Sequence, residues 1–194
     1  MAGRQAKLIS ETMLRRALRR ISRRQTADRD RVMLLLSVRA GLRACEIAGL
    51  DWSMVLQPNG RVGRVLNIHD RIAKKGGGRR IPVHDDLFCA LRAYAGTTDI
   101  SGPLLPSLRT GKHLRANSVV NWFATLYAEI GATGCSSHSG RRTFITAAAR
   151  NAHRTGASLR DVQLLAGHRS IEVTQGYIDG DSDAQRRLIG VMGR

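Results

Sequence analysis

Two histidines, an arginine and a tyrosine in the last third of the chain have the types and order needed for phosphoryl transfer. His138 and Arg141 lie in the run SHSGRRTF over residues 137–144. His168 follows in LLAGHRS, and Tyr177 follows in TQGY. Arginine grips two phosphate oxygens in a fixed orientation, histidine exchanges protons near neutral pH, and an activated tyrosine hydroxyl is a nucleophile. Together these residues indicate a site that acts on a phosphate ester.

A helix that begins near His138 would position the first pair. His138 and Arg141 are three residues apart, so they would share one face of that helix. Ser136 or Ser137 can cap it. A helix N-terminus also favours anions, so a phosphate could meet both side chains and free backbone N–H groups. Taken alone, such a pair is more often a surface histidine and arginine on a basic helix.

The ordered set resembles the tyrosine recombinase family, also called the phage integrase family. Residues 41–52, GLRACEIAGLDW, are similar to the family's first arginine box, GLR-x-x-E-[IL] followed by Leu and Trp. Residues 73–83, AKKGGGRRIPV, resemble the family's β-hairpin, which carries a lysine and ends in Arg-x-[IV]-Pro. The resemblance spans roughly residues 28–185. Four boxes in the right order make an accidental match improbable.

The resemblance implies a role for each matched residue. Tyr177 would attack a DNA phosphodiester in line, giving a 3′-phosphotyrosine and a free 5′-hydroxyl. The bond energy is kept, so no ATP is needed. Arg43 and Arg141 would hold the non-bridging oxygens and neutralise charge in the transition state. His138 would act as the acid and base, and His168 would donate a hydrogen bond to the phosphate.

The lysine of the family's hairpin would protonate the leaving 5′-oxygen. Counting five residues back from Arg79, the usual spacing, gives Lys74, with Lys75 as the alternate. Two of the chain's four lysines lie in this turn, which favours a functional role over surface charge. Glu46, three residues after Arg43, is expected to orient an arginine through a salt bridge and to do no chemistry.

Two features depart from the family pattern. The second box usually reads His-x-Leu-Arg-His, and here Gly140 and Arg142 replace the Leu and the second His. A glycine in a helix costs up to about 1 kcal/mol relative to alanine, which is tolerable. The family's N-terminal DNA-clamping domain has no counterpart in these 194 residues. We divide the chain into a basic N-terminal arm, residues 1–25, and a catalytic domain, residues 26–194.

The composition favours a polyanionic partner. Thirty-two Lys and Arg against fifteen Asp and Glu give a net charge of +17, and twenty-eight of the basic residues are arginine. Double-stranded DNA is the simplest partner for such a chain. A ribosomal-type binder or arginine-biased codon usage would give the same balance.

A basic amphipathic helix is predicted near the N-terminus. Between Glu11 and Gln25 apolar residues recur at helical spacing and arginines fill the other faces. A membrane-surface or partner-binding helix shows the same pattern. We interpret it as a phosphate-facing helix. The predicted DNA contacts are Arg15, Arg16, Arg19, Arg20 and Arg23 of this helix, together with Arg79 and Arg142.

The sequence shows no pattern typical of a membrane segment, a metal site or a nucleotide-binding loop. The chain has no run of eighteen apolar residues and no apolar signal-peptide core, so we expect a cytoplasmic, nucleoid-associated protein without a membrane partner. Cys45, Cys89 and Cys135 have no metal-type spacing and are expected to be small buried residues. The run GGG at 76–78 lacks the ending of a nucleotide-binding loop, and no carboxylate cluster suits Mg²⁺. No cofactor and no metal are predicted.

The predicted fold class is mainly α with a small antiparallel β-sheet, the tyrosine recombinase catalytic-domain fold. The two sheet strands are expected at 64–69 and 79–83, and a further strand at 52–56. A last helix is expected at 181–192. Trp122 and Phe123 are interpreted as core residues and not as base-stacking platforms.

The expected function is site-specific DNA recombination by integration, excision or inversion. The resemblance implies self-association on DNA, from dimer to tetramer, and is compatible with an accessory DNA-bending protein. Two alternatives stay open: a type IB topoisomerase that nicks and reseals one strand, and a regulator that keeps the fold only to bind DNA. Supercoil relaxation without strand exchange would favour the first, and the intact Arg-Lys-His-Arg-His-Tyr set argues against the second.

Overall fold

The computed structural model describes residues 6–73, 77–177 and 189–190. Its helices are α1 (Glu11–Ile21), α2 (Ala27–Ala40), α3 (Ala44–Gly49), α4 (Asp85–Ala95), α5 (Ala116–Glu129), α6 (Ser139–Asn151), α7 (Leu159–Ala166) and α8 (Ile171–Gln175), with short 3-10 helices at Trp52–Met54 and Ala152–Thr155. Strands β1 (Val65–Ile68) and β2 (Arg79–Pro82) form an antiparallel sheet. The predicted fold class is confirmed. The predicted helix at 181–192 lies almost entirely outside the described residues.

The central helix is α2, which packs against both α4 and α6. Its residues 32–36, VMLLL, are all apolar and all buried. Each such aliphatic side chain contributes about 1.5–3 kcal/mol by leaving water. The helix ends at Gly41, whose φ of 66° lies in the left-handed region. A Cβ there would also come within 3.0 Å of the Phe144 ring, so Gly41 lets α6 approach the turn that leads to α3.

The predicted basic amphipathic helix is α1. Its apolar face is Leu14, Ala17 and Ile21, all buried in the same core as α2. Ser10 caps it by accepting a hydrogen bond from the backbone N–H of Met13. The helix ends at Ile21, four residues earlier than predicted, because the following sequence SRRQT offers no apolar side chain to the core.

The strand predicted at 52–56 is wrong, because the chain forms a 3-10 helix at Trp52–Met54. Trp52, Met54 and Val55 are all buried, which a strand with alternating faces cannot achieve on one side. The Trp52 ring stacks on Tyr94 with centroids 5.7 Å apart. Burial of three neighbouring side chains therefore favours a tight turn over an extended strand.

The predicted hairpin is confirmed, with Leu66 opposite Ile81 and Ile68 opposite Arg79. Leu66 and Ile81 are buried and fix the register by their packing. Lys74 lies outside the described residues, as do Lys75 and Gly76. The assignment of the lysine therefore stays a prediction.

Phe123 is fully buried, as predicted for a core residue, whereas Trp122 is half-buried and meets it edge to face. The predicted burial of the cysteines is wrong: Cys45 and Cys89 are exposed and Cys135 is half-buried. The first two lie on outward faces of α3 and α4, where helix position outweighs the apolar character of the thiol. Within the described ranges, every helix is too short or too polar to cross a membrane.

Candidate active site

A cleft of about 700 Å³ lies between the N-terminus of α6, the turn from α2 to α3, and the segment that joins α7 to α8. Five of the six residues predicted to do chemistry line it: Arg43, His138, Arg141, His168 and Tyr177. They come from sites up to 134 residues apart in sequence, so the fold, and not local sequence, assembles the cleft. The sixth, Lys74, is outside the described residues.

Arg141 forms the floor of the cleft and is only 4% exposed. Its two terminal nitrogens donate to the carbonyl oxygens of Gly41 and Ala166, each at 2.6 Å. These carbonyls end α2 and α7, where helix C-termini carry partial negative charge. Burial, and next the charge of Arg43, lower the pKa of Arg141 to about 10. The guanidinium is therefore fixed in place and still positive at neutral pH.

His168 is neutral, and its contact with Arg141 favours one tautomer. An Arg141 N–H can only donate, so His168 Nε2, 2.9 Å away, accepts. The proton then lies on Nδ1, which donates to the Thr174 hydroxyl at 2.9 Å. Burial, followed by the charges of Arg141 and Arg43, lowers the pKa of His168 to about 4. Gln163 also donates to the backbone carbonyl of His168 at 3.0 Å, which anchors its backbone.

Tyr177 stands beside His168 at the wall of the cleft. The two rings are stacked, with centroids 5.5 Å apart and planes 25° apart. The Tyr177 backbone N–H donates to the carbonyl of Thr174 at 3.1 Å, and its carbonyl accepts from the Thr146 hydroxyl at 3.4 Å. The tyrosine is half-buried, so its ring is positioned while it stays within reach of the cleft.

Arg43 reaches the cleft from the N-terminus of α3, beside the buried carboxylate of Glu46. Arg43 donates to Glu46 through its backbone N–H at 2.8 Å and its side chain at 3.1 Å. The predicted salt bridge of Glu46 is confirmed. Burial favours the protonated acid, but hydrogen bonds and charge from Arg79 and Arg43 outweigh it and lower the pKa of Glu46. Glu46 is therefore a carboxylate.

Arg79 has a different environment from the one predicted. We expected a DNA contact, but its side chain is 6% exposed and donates to both oxygens of Glu46, at 2.8 and 3.0 Å. The alternation of β2 explains this, since Arg79 shares a face with the buried Ile81 while Arg80 is exposed. The two adjacent arginines are chemically identical, so the sequence does not show which of them is buried. Only the position of Ile81 two residues after Arg79 indicates it.

His138 occupies the N-cap position of α6, one residue before its first turn. It is exposed at the rim of the cleft, and its backbone N–H donates to the Ser136 hydroxyl at 3.3 Å. Arg142 lines the same cleft, and its side chain donates to the carbonyl of Ala6 at 2.7 Å. His138 and Arg141 thus share one cleft, as predicted from their spacing, with His138 at its edge.

The arginines of α1, and Arg23 just after its end, do not line this cleft. Arg15, Arg16, Arg19, Arg20 and Arg23 are all exposed, and four of them border a separate depression of about 220 Å³ together with Glu129. Arg20 pairs with Glu129 at 2.7 Å. The remaining side chains in this depression present positive charge to solvent.

Three residues that hold the site carry no recognisable signal in the sequence. Thr174, Gln163 and Thr146 are buried and hold His168 or Tyr177, yet they are ordinary polar residues in helices. Each of these residues contacts His168 or Tyr177 either across the fold or across a turn. No spacing rule in the sequence predicts such contacts. Across residues 6–73, 77–177 and 189–190, no cluster of three His, Cys, Asp or Glu side chains could hold a metal ion.

The family comparison agrees with this geometry. The Phage integrase family matches residues 7–183, and the chain belongs to this family. It is 30% identical over 162 residues to a tyrosine recombinase XerC from Myxococcus xanthus, covering 77% of this chain and 49% of that relative. It is 33% identical over 160 residues to tyrosine recombinase XerC from Mycobacterium sp. (strain KMS), covering 78% and 49%. The chain spans about half the length of the curated relatives it matches.

Solved structures show the same fold. A crystal structure of XerA recombinase superposes with a TM-score of 0.72 at 20% identity, covering 93% of this chain and 63% of that one. The XerH site-specific recombinase bound to a palindromic difH substrate gives a TM-score of 0.71 at 17% identity, covering 97% and 54%. The fold is therefore that of tyrosine recombinase catalytic domains.

Proposed function

We propose that this chain carries the catalytic domain of a site-specific DNA recombinase, which cleaves and rejoins DNA through a 3′-phosphotyrosine intermediate. The observation that carries the proposal is the single cleft lined by two arginines, two histidines and the tyrosine. Integration, excision and inversion share this chemistry and differ only in how the DNA sites are arranged.

In this proposal the two arginines bind the scissile phosphate. Arg141 is fixed by carbonyls at the ends of α2 and α7, and Arg43 is fixed by Glu46 and by a long contact of 3.5 Å to the carbonyl of Gly167. Positive groups that are held in place before the reaction stabilise developing charge without reorganising. Tyr177 attacks the phosphorus and the 5′-oxygen leaves, so one phosphate ester replaces another.

The proton transfers fall to the remaining residues. A phenol is mostly protonated at neutral pH, so Tyr177 must pass its proton to a base, and His138 at the rim is exposed and able to exchange protons. Lys74 is proposed to protonate the leaving oxygen. In the tautomer described, His168 supports Arg141; donation to a phosphate requires the proton on Nε2. The Thr174 hydroxyl can accept or donate, so it can hold either tautomer.

Double-stranded DNA is the proposed partner. The exposed arginines of α1 and Arg142 at the cleft offer phosphate contacts outside the reacting centre. Solved relatives include a lambda integrase dimer bound to a COC′ core site and a Tn1549 transposon integrase in complex with a circular intermediate DNA. By analogy we propose self-association of this chain on DNA, from dimer to tetramer, in a cytoplasmic, nucleoid-associated setting.

The test is a covalent trapping assay on a duplex with a bridging 5′-phosphorothiolate. Wild-type protein should form a stable adduct with the 3′-phosphate of the strand segment that lies 5′ of the cut, while the other segment leaves with a 5′-thiol. Tyr177→Phe should form none, while its affinity for DNA stays within a few-fold of wild type, because only a hydroxyl is lost. An adduct that persists in Tyr177→Phe refutes the nucleophile.

The same preparation separates the two alternatives. Relaxation of supercoiled plasmid without strand exchange between two sites would indicate a topoisomerase. Duplex binding with no adduct from the wild type would indicate a regulator.

A further inference from the structure

We propose that Arg79 positions Arg43 and the end of α7 for catalysis, by neutralising the buried carboxylate of Glu46, and does not contact DNA. This inference rests on the proposed function of the cleft. It reassigns an arginine that the sequence alone places among the DNA contacts.

The side chain of Arg79 makes three hydrogen bonds within the protein. Its two terminal nitrogens donate to the two oxygens of Glu46, at 2.8 and 3.0 Å, and its Nε donates to the carbonyl of Leu165 at 2.9 Å. The paired geometry is the fork that suits arginine and not lysine. Arg79 is not among the residues that line the cleft, and with 6% of its side chain exposed it offers little surface to a DNA phosphate.

Glu46 connects Arg79 to Arg43. Its carboxylate is fully buried and accepts from both arginines, with one oxygen shared between the Arg79 and Arg43 side chains. If Arg79 were absent, Arg43 would be the hydrogen-bonded cation left to Glu46 among the described residues, and a buried charge that loses a partner attracts the other strongly. Arg43 would then turn its own fork onto Glu46 and away from the cleft. Arg79 thus keeps Arg43 available for a phosphate.

The end of α7 supplies the second connection. Three successive carbonyls, of Leu165, Ala166 and Gly167, accept from Arg79, Arg141 and Arg43 respectively. Gly167 has a φ of 62°, and a Cβ there would lie 2.9 Å from a terminal nitrogen of Arg79. Arg79 therefore packs directly under the turn that holds both arginines of the cleft.

The experiment compares Arg79→Gln with Arg80→Gln, since both remove one positive charge from β2 and Arg80 is exposed. Two quantities are measured: the salt dependence of duplex affinity, and the single-turnover rate of adduct formation at saturating DNA. For Arg79→Gln we expect an unchanged salt slope and a rate lower by at least about tenfold, a loss typical of a displaced catalytic group. A salt slope reduced by about 0.9 with an unchanged rate would show a phosphate contact and overturn the proposal.

A second variant tests the route through Glu46. Adding Glu46→Gln to Arg79→Gln removes the charge that would capture Arg43, so the double variant should recover most of the lost rate. A double variant as slow as, or slower than, Arg79→Gln overturns the proposed route. If Arg79→Gln does not fold, Arg79→Lys replaces it, with an expected loss of at least about threefold because one ammonium cannot form the fork. An unchanged rate in Arg79→Lys then counts against the proposal.

Adduct formation by the wild type shows whether the proposed function itself fails or only the inference about Arg79. If wild-type protein forms no adduct, the proposed function fails and this inference fails with it. If the wild type is active and the Arg79 variants behave like Arg80→Gln, only this inference is overturned.

Discussion

Gly140, in the first turn of α6, lies where α6 comes closest to α2, and alanine at this position should force the two helices apart. A Cβ on residue 140 would lie 2.9 Å from the Cβ and 3.1 Å from the carbonyl carbon of Ser37, and nearer still to the Ser37 hydroxyl. Ser37 is fully buried in the last turn of α2, so the strain cannot be relieved by rotating a surface side chain. The family's usual Leu at this position would be larger again.

The expected cost follows from two opposing effects. In an unhindered helix, alanine is about 1 kcal/mol more favourable than glycine. Overpacking a buried contact costs about 1–3 kcal/mol, and contacts with backbone atoms favour the upper part of that range. The net loss should be about 1–2 kcal/mol in the free energy of unfolding. For a chain of this length, this lowers the melting temperature by roughly 2–8 °C.

Activity should fall as well, because Arg141 is the next residue of α6. Its hydrogen bonds to Gly41 and Ala166 are each 2.6 Å long, so a shift of α6 by a few tenths of an ångström lengthens both. We expect the single-turnover cleavage rate of Gly140→Ala to fall about tenfold. The DNA affinity should change little.

A double-mutant cycle with Ser37→Ala provides the assay. Among the described residues the Ser37 hydroxyl has no hydrogen-bond partner, so its removal should be neutral or slightly stabilising. Urea unfolding of the wild type, both single variants and the double variant gives the coupling energy. Ser37→Ala should restore at least about half of the loss caused by Gly140→Ala. A Gly140→Ala variant that is as stable as the wild type, or shows no coupling to Ser37, would refute the close approach of the two helices.

Three further predictions concern charge. The pKa of His168 is about 4 in the folded chain and near 6.5 when unfolded, so stability present above pH 6.5 should be lost as pH falls toward 4. Urea unfolding across this pH window should show the loss in the wild type but not in His168→Gln. Equal pH dependence in the two proteins would contradict the lowered pKa. Arg43→Ala and Arg141→Ala should each slow adduct formation at least about a hundredfold, because each removes a fixed positive group; a near-normal rate in either would remove it from the phosphate site. Arg16→Ala and Arg19→Ala should each reduce the salt slope of duplex binding by about 0.9 with the saturated rate unchanged, and an unchanged slope would exclude that arginine from the DNA interface.

Local signals in the sequence mark the helix ends that hold the site. Gly41 and Gly167 end α2 and α7 with positive φ, a conformation that glycine adopts without steric cost. The carbonyls that these turns expose hold Arg141 and Arg43. The five described candidate residues that line the cleft could be predicted to lie together, because each belongs to a short motif of recognisable spacing.

The rest could not be predicted because it depends on contacts between distant segments. Arg79 and Arg80 are adjacent and chemically identical, and only the packing of β2 against α3 and α7 decides which one is buried. The role of Thr174 could not be predicted, because only the fold brings its hydroxyl beside His168. The sequence also favoured a strand at 52–56, because apolar content alone does not distinguish a strand from a buried 3-10 turn.

The hydrogen bonds of Arg141 have a consequence for how the cleft meets an anion. A guanidinium has five N–H groups, and in Arg141 three of them are directed at Gly41, Ala166 and His168. Within the contacts of the described residues, two N–H groups are left over, so a phosphate can be bound without releasing the bonds to the carbonyls of Gly41 and Ala166. Arg141 can therefore keep its bonds to the two carbonyls while it binds an anion. The geometry before and after an anion binds can then be the same for this side chain, so Arg141 is preorganised for an anion in the cleft.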